Sequence, residues 1–102
     1  MSTRLFVSAA SAWEVAIKTE RGRFPDGREM IDAWDRILKA LSAEELDITH
    51  RDALTAGSLD WAHRDPFDRM LVAQAVRRGV QLATRDRTII TAELVPTVDT
   101  TA

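Results

Sequence analysis

Three acids, Glu14, Asp68 and Asp86, stand at positions where carboxylates can do chemistry. Asp86 lies two residues past Thr84, which closes the apolar run Leu82-Ala83-Thr84. Asp68 falls in the first turn of a helix-like segment entered from a loop, and Glu14 lies one turn into the segment that follows Phe6-Val7. In an open parallel sheet, ligands gather beyond the carboxyl ends of the strands, so three such carboxylates can converge there. With no Cys in the chain and no His among the three, the donor set is all oxygen. That set favours a hard ion, Mg2+ or Mn2+, which keeps several waters and accepts phosphate oxygens as further ligands. Such an ion suits phosphodiester hydrolysis. Each acid also has an ordinary employment. Glu14 can close a capping box with Ser11 or pair with Lys18; Asp68 can complement the helix dipole and bond back toward the Asp65 amide; Asp86 can cap the following turn through Arg87 and Thr88. Spacing alone leaves both readings open.

Short apolar runs alternate with helical periodicity along the chain. Leu5-Phe6-Val7 reads as a strand, followed by Ser8 and Ser11 as candidate N-caps and a helix carrying Trp13, Ala16 and Ile17. Gly22 and Pro25 end it. Asp26 with Glu29 predicts a capping box opening a second helix, whose buried stripe is Met30, Trp34, Ile37, Leu38 and Leu41. Leu46-Asp47-Ile48 alternates as a brief strand, and Thr49 caps a short helix that stops at Gly57. The best-punctuated segment is a helix with Asp65 at the N-cap, Pro66 at its first position, Asp68 at its third, Arg77 and Arg78 at its end and Gly79 as left-handed terminator. A strand over 80–84, a helical turn at 85–87 and an edge strand over 95–98 complete the chain, Pro96 demanding an edge. Strands alternating with helices predict an α/β fold with a parallel sheet flanked by helices.

The 102 residues make one small domain, and its thin core buries roughly 60–65% of the unfolded surface, so a partner chain is expected to help. The absence of Cys excludes a disulfide scaffold, a thiol nucleophile and a Cys-based zinc site. No apolar run approaches a membrane span, and the stretch from Met1 to Val7 is too weakly charged and too short for a signal peptide, so a cytoplasmic location is expected. The net charge is −2, but from Trp61 to Ile90 six Arg face three Asp. Arg64, Arg69, Arg85 and Arg87 flank the acids and can take phosphates by bidentate contacts, or can be ordinary solvated charges. His63 reads as a loop or hydrogen-bonding residue, Trp13 and Trp34 as core, and Trp61 as open to base stacking.

Phe6-Val7-Ser8-Ala9-Ala10-Ser11-Ala12-Trp13-Glu14-Val15-Ala16-Ile17-Lys18, then His63-Arg64-Asp65-Pro66-Phe67-Asp68-Arg69-Met70-Leu71-Val72-Ala73-Gln74-Ala75, then Leu82-Ala83-Thr84-Arg85-Asp86 resemble the PIN-domain family. More narrowly, they are similar to the toxin ribonucleases of VapBC-type bacterial toxin–antitoxin pairs. The likeness runs from about residue 5 to residue 98. It implies a parallel sheet flanked by helices, bound Mg2+ or Mn2+, cleavage of single-stranded RNA and a cognate antitoxin; the thin core makes a homodimer the expected assembly. By position, Glu14, Asp68 and Asp86 match the family's second, third and fourth acids; Asp65 is a helix-capping neighbour and Thr84 a hydroxyl residue beside the site. Members usually begin with a further strand and helix that carry a first Asp, and here Met1 leads almost directly into the family's second strand. The expectation is therefore a PIN-like domain incomplete at its N-terminus and short of one ligand. Two functions follow: a metal-dependent endoribonuclease held by Glu14, Asp68 and Asp86, or a catalytically inactive PIN-like module that binds an antitoxin or its own copy.

Overall fold

The computed structural model describes residues 4–100; Met1–Thr3, part of the stretch judged unlike a signal peptide, lie outside them. The chain is mixed α/β with parallel strands, as its alternating pattern predicts. It forms two compact units, Met1–Asp47 and Ile48–Ala102.

In the first unit, β1 (Leu5–Ser8) pairs in parallel with β2 (Ala43–Leu46), in a register that sets Phe6 opposite Glu44 and Ser8 opposite Leu46. α1 (Ala9–Glu20) begins at the first candidate cap, because the Ser8 hydroxyl accepts the Ala10 N–H at 3.0 Å. The second helix departs from expectation. It is two helices, α2 (Gly27–Asp32) and α3 (Trp34–Ala40), divided at Ala33, whose ψ of 8° leaves the helical range. Asp26 makes no capping bond, since its ψ of 5° is not the extended geometry a capping side chain needs. The division also splits the apolar stripe. Leu38 alone of its five residues is buried, and Ile37 and Leu41 are exposed. Trp13, expected in the core, is 61% exposed; Ala10 is the only buried residue on α1. Close approach is enforced at Gly27, where a Cβ would lie 1.9 Å from Thr19 Oγ1. β2 lies three residues earlier than the expected 46–48, because the left-handed turn at Ser42 (φ 53°) sends the chain straight into pairing with β1.

The second unit holds α4 (His50–Ser58), α5 (Pro66–Arg78), β3 (Leu82–Thr84), α6 (Arg87–Ala92) and β4 (Thr97–Asp99), with β3 and β4 parallel and Thr84 opposite Asp99. Each sheet thus has two strands and lies within one unit. Pro96 precedes β4 and lends it only a carbonyl, accepting the Leu82 N–H at 2.9 Å. α5 realises every signal read for it: Asp65 caps, Pro66 opens, and Gly79 ends it at φ 63°. α4 runs through Gly57 to Ser58. The core of this unit is Val72, Ala75, Ile89 and Val95, with Leu59, Trp61, Val80, Leu82 and Leu94 packed against it.

α4 is fastened to α5 by a buried carboxylate. Asp52 Oδ2 accepts the Thr49 N–H at 3.0 Å while Thr49 Oγ1 accepts the Asp52 N–H at 3.1 Å, a reciprocal cap. Gln74 Nε2 donates to the same carboxylate at 3.1 Å, and Arg77 pairs with its other oxygen. Burial works to raise the Asp52 carboxyl, but the Thr49 N–H, the Gln74 amide, Arg77 and the Thr49 hydroxyl prevail and bring it to about 2. Its contribution to stability is therefore complete above the ordinary 3.8 and is lost as pH falls through about 2. Asp52→Ala should lower the unfolding free energy by about 3 kcal/mol at pH 7 in urea titrations. The deficit should shrink as the titrations move toward pH 2.

Candidate metal centre

Asp68 projects from the first turn of α5, and its position follows from the way that helix begins. The Asp65 Oδ1 accepts the N–H groups of Phe67 (2.9 Å) and Asp68 (3.1 Å), which fixes the turn and with it the Asp68 backbone. The Asp68 carboxylate does not bond back to the Asp65 amide. Its Oδ2 lies 2.7 Å from His63 Nε2, and with Asp68 ionised that nitrogen must carry the hydrogen. His63, Asp65 and Asp68 each offer a ligand atom, and these atoms lie within 4.8 Å of one another.

Asp86 caps α6 through Oδ1, which accepts the Thr88 N–H at 2.9 Å, and its own N–H donates to Thr84 Oγ1 at 3.0 Å. This gives Thr84 its place: it ends β3 and orients the residue that follows the strand by two. Asp86 is close enough for its charge to act on Asp68. Burial pushes the Asp68 carboxyl above the usual carboxylate range; the His63 contact pulls the other way, and the charges of Asp65 and Asp86 add to the rise. Asp65 and Asp68 share the close group with His63, and Asp86, outside that group, acts on Asp68 through its charge. In each acid, one carboxylate oxygen is engaged and the second is left for a ligand.

Glu14 stands apart in the chain. It lies on α1 in the first unit and pairs with Lys18 Nζ at 3.0 Å, the ordinary i,i+4 alternative; the capping box with Ser11 does not form, since Ser8 is the cap. Asp86 and Asp65 likewise perform capping work. Asp68, in the first turn of α5, stands where a carboxylate complements the helix dipole, but the bond back to the Asp65 amide is replaced by the His63 contact.

His63 stands beside the expected acids, with its Nε2 engaged by Asp68 Oδ2. The clue in the sequence is its place two residues before an N-cap, within reach of the first turn of the helix. Of the four arginines, Arg64 and Arg85 are exposed. Arg87 pairs with Asp99 at 3.1 Å on the surface. Arg69 is turned inward, its guanidinium donating to the carbonyls of Ala56 (2.9 Å), Leu59 (3.0 Å), Trp61 (2.6 Å) and His63 (2.9 Å). Four of its five donors are spent, so it is no phosphate ligand in this conformation. Trp61, left open to stacking, packs against the core and lies with its ring centroid 4.8 Å from that of His63.

The model of the PIN domain family matches residues 1–93, and the chain belongs to that family. PIN domains are generally nucleases and typically bind divalent metals, and the carboxylates with His63 are a donor set that fits such an ion. No curated protein and no solved structure matches the chain. Among the described residues no helix is long and apolar enough to cross a membrane.

The raised carboxyl of Asp68 has a measurable consequence. The folded chain holds this proton to higher pH than the unfolded chain does, so stability falls as pH rises through that interval. In EDTA at pH 7, Asp68→Asn should raise the thermal midpoint. The gain should vanish below the ordinary value of 3.8, where Asp68 is protonated in both states.

Proposed function

We propose that the chain is a Mg2+- or Mn2+-dependent endoribonuclease acting on single-stranded RNA. The observation that supports this most is the grouping of Asp65 and Asp68 with His63, whose ligand atoms lie within 4.8 Å of one another, with the charge of Asp86 acting on Asp68. Carboxylates whose charges act on one another gain most when a dication offsets them. Asp68 and Asp86 would hold the ion through the oxygens that their hydrogen bonds leave unspent, with Asp65 and Thr84 fixing the backbone of each. Glu14 is a candidate ligand from its matching sequence block alone. When bound, the ion supplies a Lewis acid for the scissile phosphate and activates water. His63 Nε2–H braces the Asp68 Oδ2, which keeps the carboxylate in one orientation while charge shifts on the phosphate. Arg64 and Arg85 offer exposed forks for neighbouring phosphates of the strand.

The narrower role of a toxin paired with an antitoxin is supported by the serine–tryptophan–glutamate and aspartate–proline blocks of the sequence, and assembly as a homodimer by the thin core of a 102-residue chain. The test of the chemistry comes first. Single-stranded RNA should be cut when Mg2+ or Mn2+ is supplied and left intact in EDTA. Asp68→Asn and Asp86→Asn should each lower kcat/KM at least about 100-fold, because Asn keeps the shape but removes the charge that holds a hard dication. Cleavage that persists in EDTA, or survives both substitutions, refutes the proposal.

A further inference from the structure

Asp68 and Arg69 are consecutive in the first turn of α5, and both reach the loop before it, Asp68 to the His63 ring and Arg69 to backbone carbonyls that include that of His63. We propose that Arg69 is the positioning residue of the Asp68 carboxylate: by gripping the carbonyls of the loop between α4 and α5 it seats the His63 ring on Asp68 Oδ2. This deepens the reading of Asp68 as a metal ligand and rests on it.

The loop over 59–65 has little backbone bonding of its own; Trp61 N–H on Leu59 O, at 2.8 Å, is a single short turn. Its carbonyls still need donors, and a half-buried carbonyl without one is costly. Arg69 supplies them. Nε reaches back to Ala56 O near the end of α4, Nη2 takes Leu59 O, and Nη1 takes both Trp61 O and His63 O. One planar group thereby ties the end of α4, the middle of the loop and His63 to the helix that carries Asp68. His63 is then held at three points: its carbonyl on Arg69, its ring nitrogen on Asp68, and its ring face beside Trp61, tilted 41° at 4.8 Å. Trp61 is itself packed on the core of Val72, Ala75, Ile89 and Val95. The placement of Asp68 therefore runs back through His63 to a guanidinium that touches no ligand. Lysine cannot replace it, since three donors about one nitrogen do not span four carbonyls.

The test uses the whole chain and Mn2+ alone as probe. In Arg69→Lys, calorimetric titration should show about tenfold weaker Mn2+ binding, the scale on which residues that orient a ligand act. The imidazole 15N spectrum should lose the signature of an Nε2 hydrogen bond. Guanidinium chloride at non-denaturing concentration should restore both in Arg69→Ala. In a His63→Ala background the Arg69→Lys substitution should cost no further affinity, because its effect passes through His63. Additive losses, or an unchanged His63 spectrum in Arg69→Lys, overturn the proposal. If Asp68→Asn leaves Mn2+ affinity unchanged, the metal reading fails by itself, and the His63 spectrum still decides the role of Arg69. Should both Arg69 variants fail to fold, the wild-type guanidinium decides: its Nε and Nη protons must exchange slowly with solvent, and fast exchange overturns the clamp.

Discussion

A carboxylate drawn partly out of water beside two others is the constraint around which the second unit is arranged. Asp68 has His63 on one oxygen and the charges of Asp65 and Asp86 nearby, and burial disfavours its ionised form. A structure selected for stability alone has an easy remedy in a neutral residue at this place. Retaining the acid means that the fold must hold it by other contacts, and each of those contacts recruits a neighbour with a second task. Asp65 caps α5, Asp86 caps α6, and Thr84 ties the end of β3 to Asp86.

The stability that offsets this arrangement comes from contacts elsewhere in the same unit. Asp52, fully buried, is the opposite case from Asp68: every neighbour that touches it favours its charge, and its carboxyl is depressed. It locks α4 to α5 through Thr49, Gln74 and Arg77. Arg69 closes the other end of the same helix pair on the loop carbonyls. The two carboxylates on neighbouring helices thus divide the labour, one strengthening the scaffold and one kept under electrostatic load.

Much of this was legible in the sequence where the signal is local. The Asp-Pro opening and Gly79 closing of α5, the Ser8 cap of α1 and the Thr49 cap of α4 are short-range chemistry that any chain context must respect. The break at Ala33 was not legible, since alanine is the best of helix formers and nothing adjacent to it signals a turn. The exposure of Trp13 and Leu41 was hidden for a related reason: periodicity shows which face of a helix is apolar, and only the packing shows how deep that face is set. Arg69 was the clearest miss at the site. Its composition suggested a phosphate ligand, whereas its partners are carbonyls up to 13 residues away, which no spacing rule reveals. His63 was read as a hydrogen-bonding residue, and its partner proved to be the central acid.

The most direct measurement is a residue-by-residue one. Mn2+ added in small steps to the 15N-labelled protein broadens amide signals according to their distance from the bound ion. Broadening should appear first at 63–69 and 84–88, the segments that carry Asp65, Asp68 and Asp86, and should disappear from both in Asp68→Asn. Uniform broadening across the chain, or a first response at any other cluster of acids, would contradict a metal centre built on Asp68.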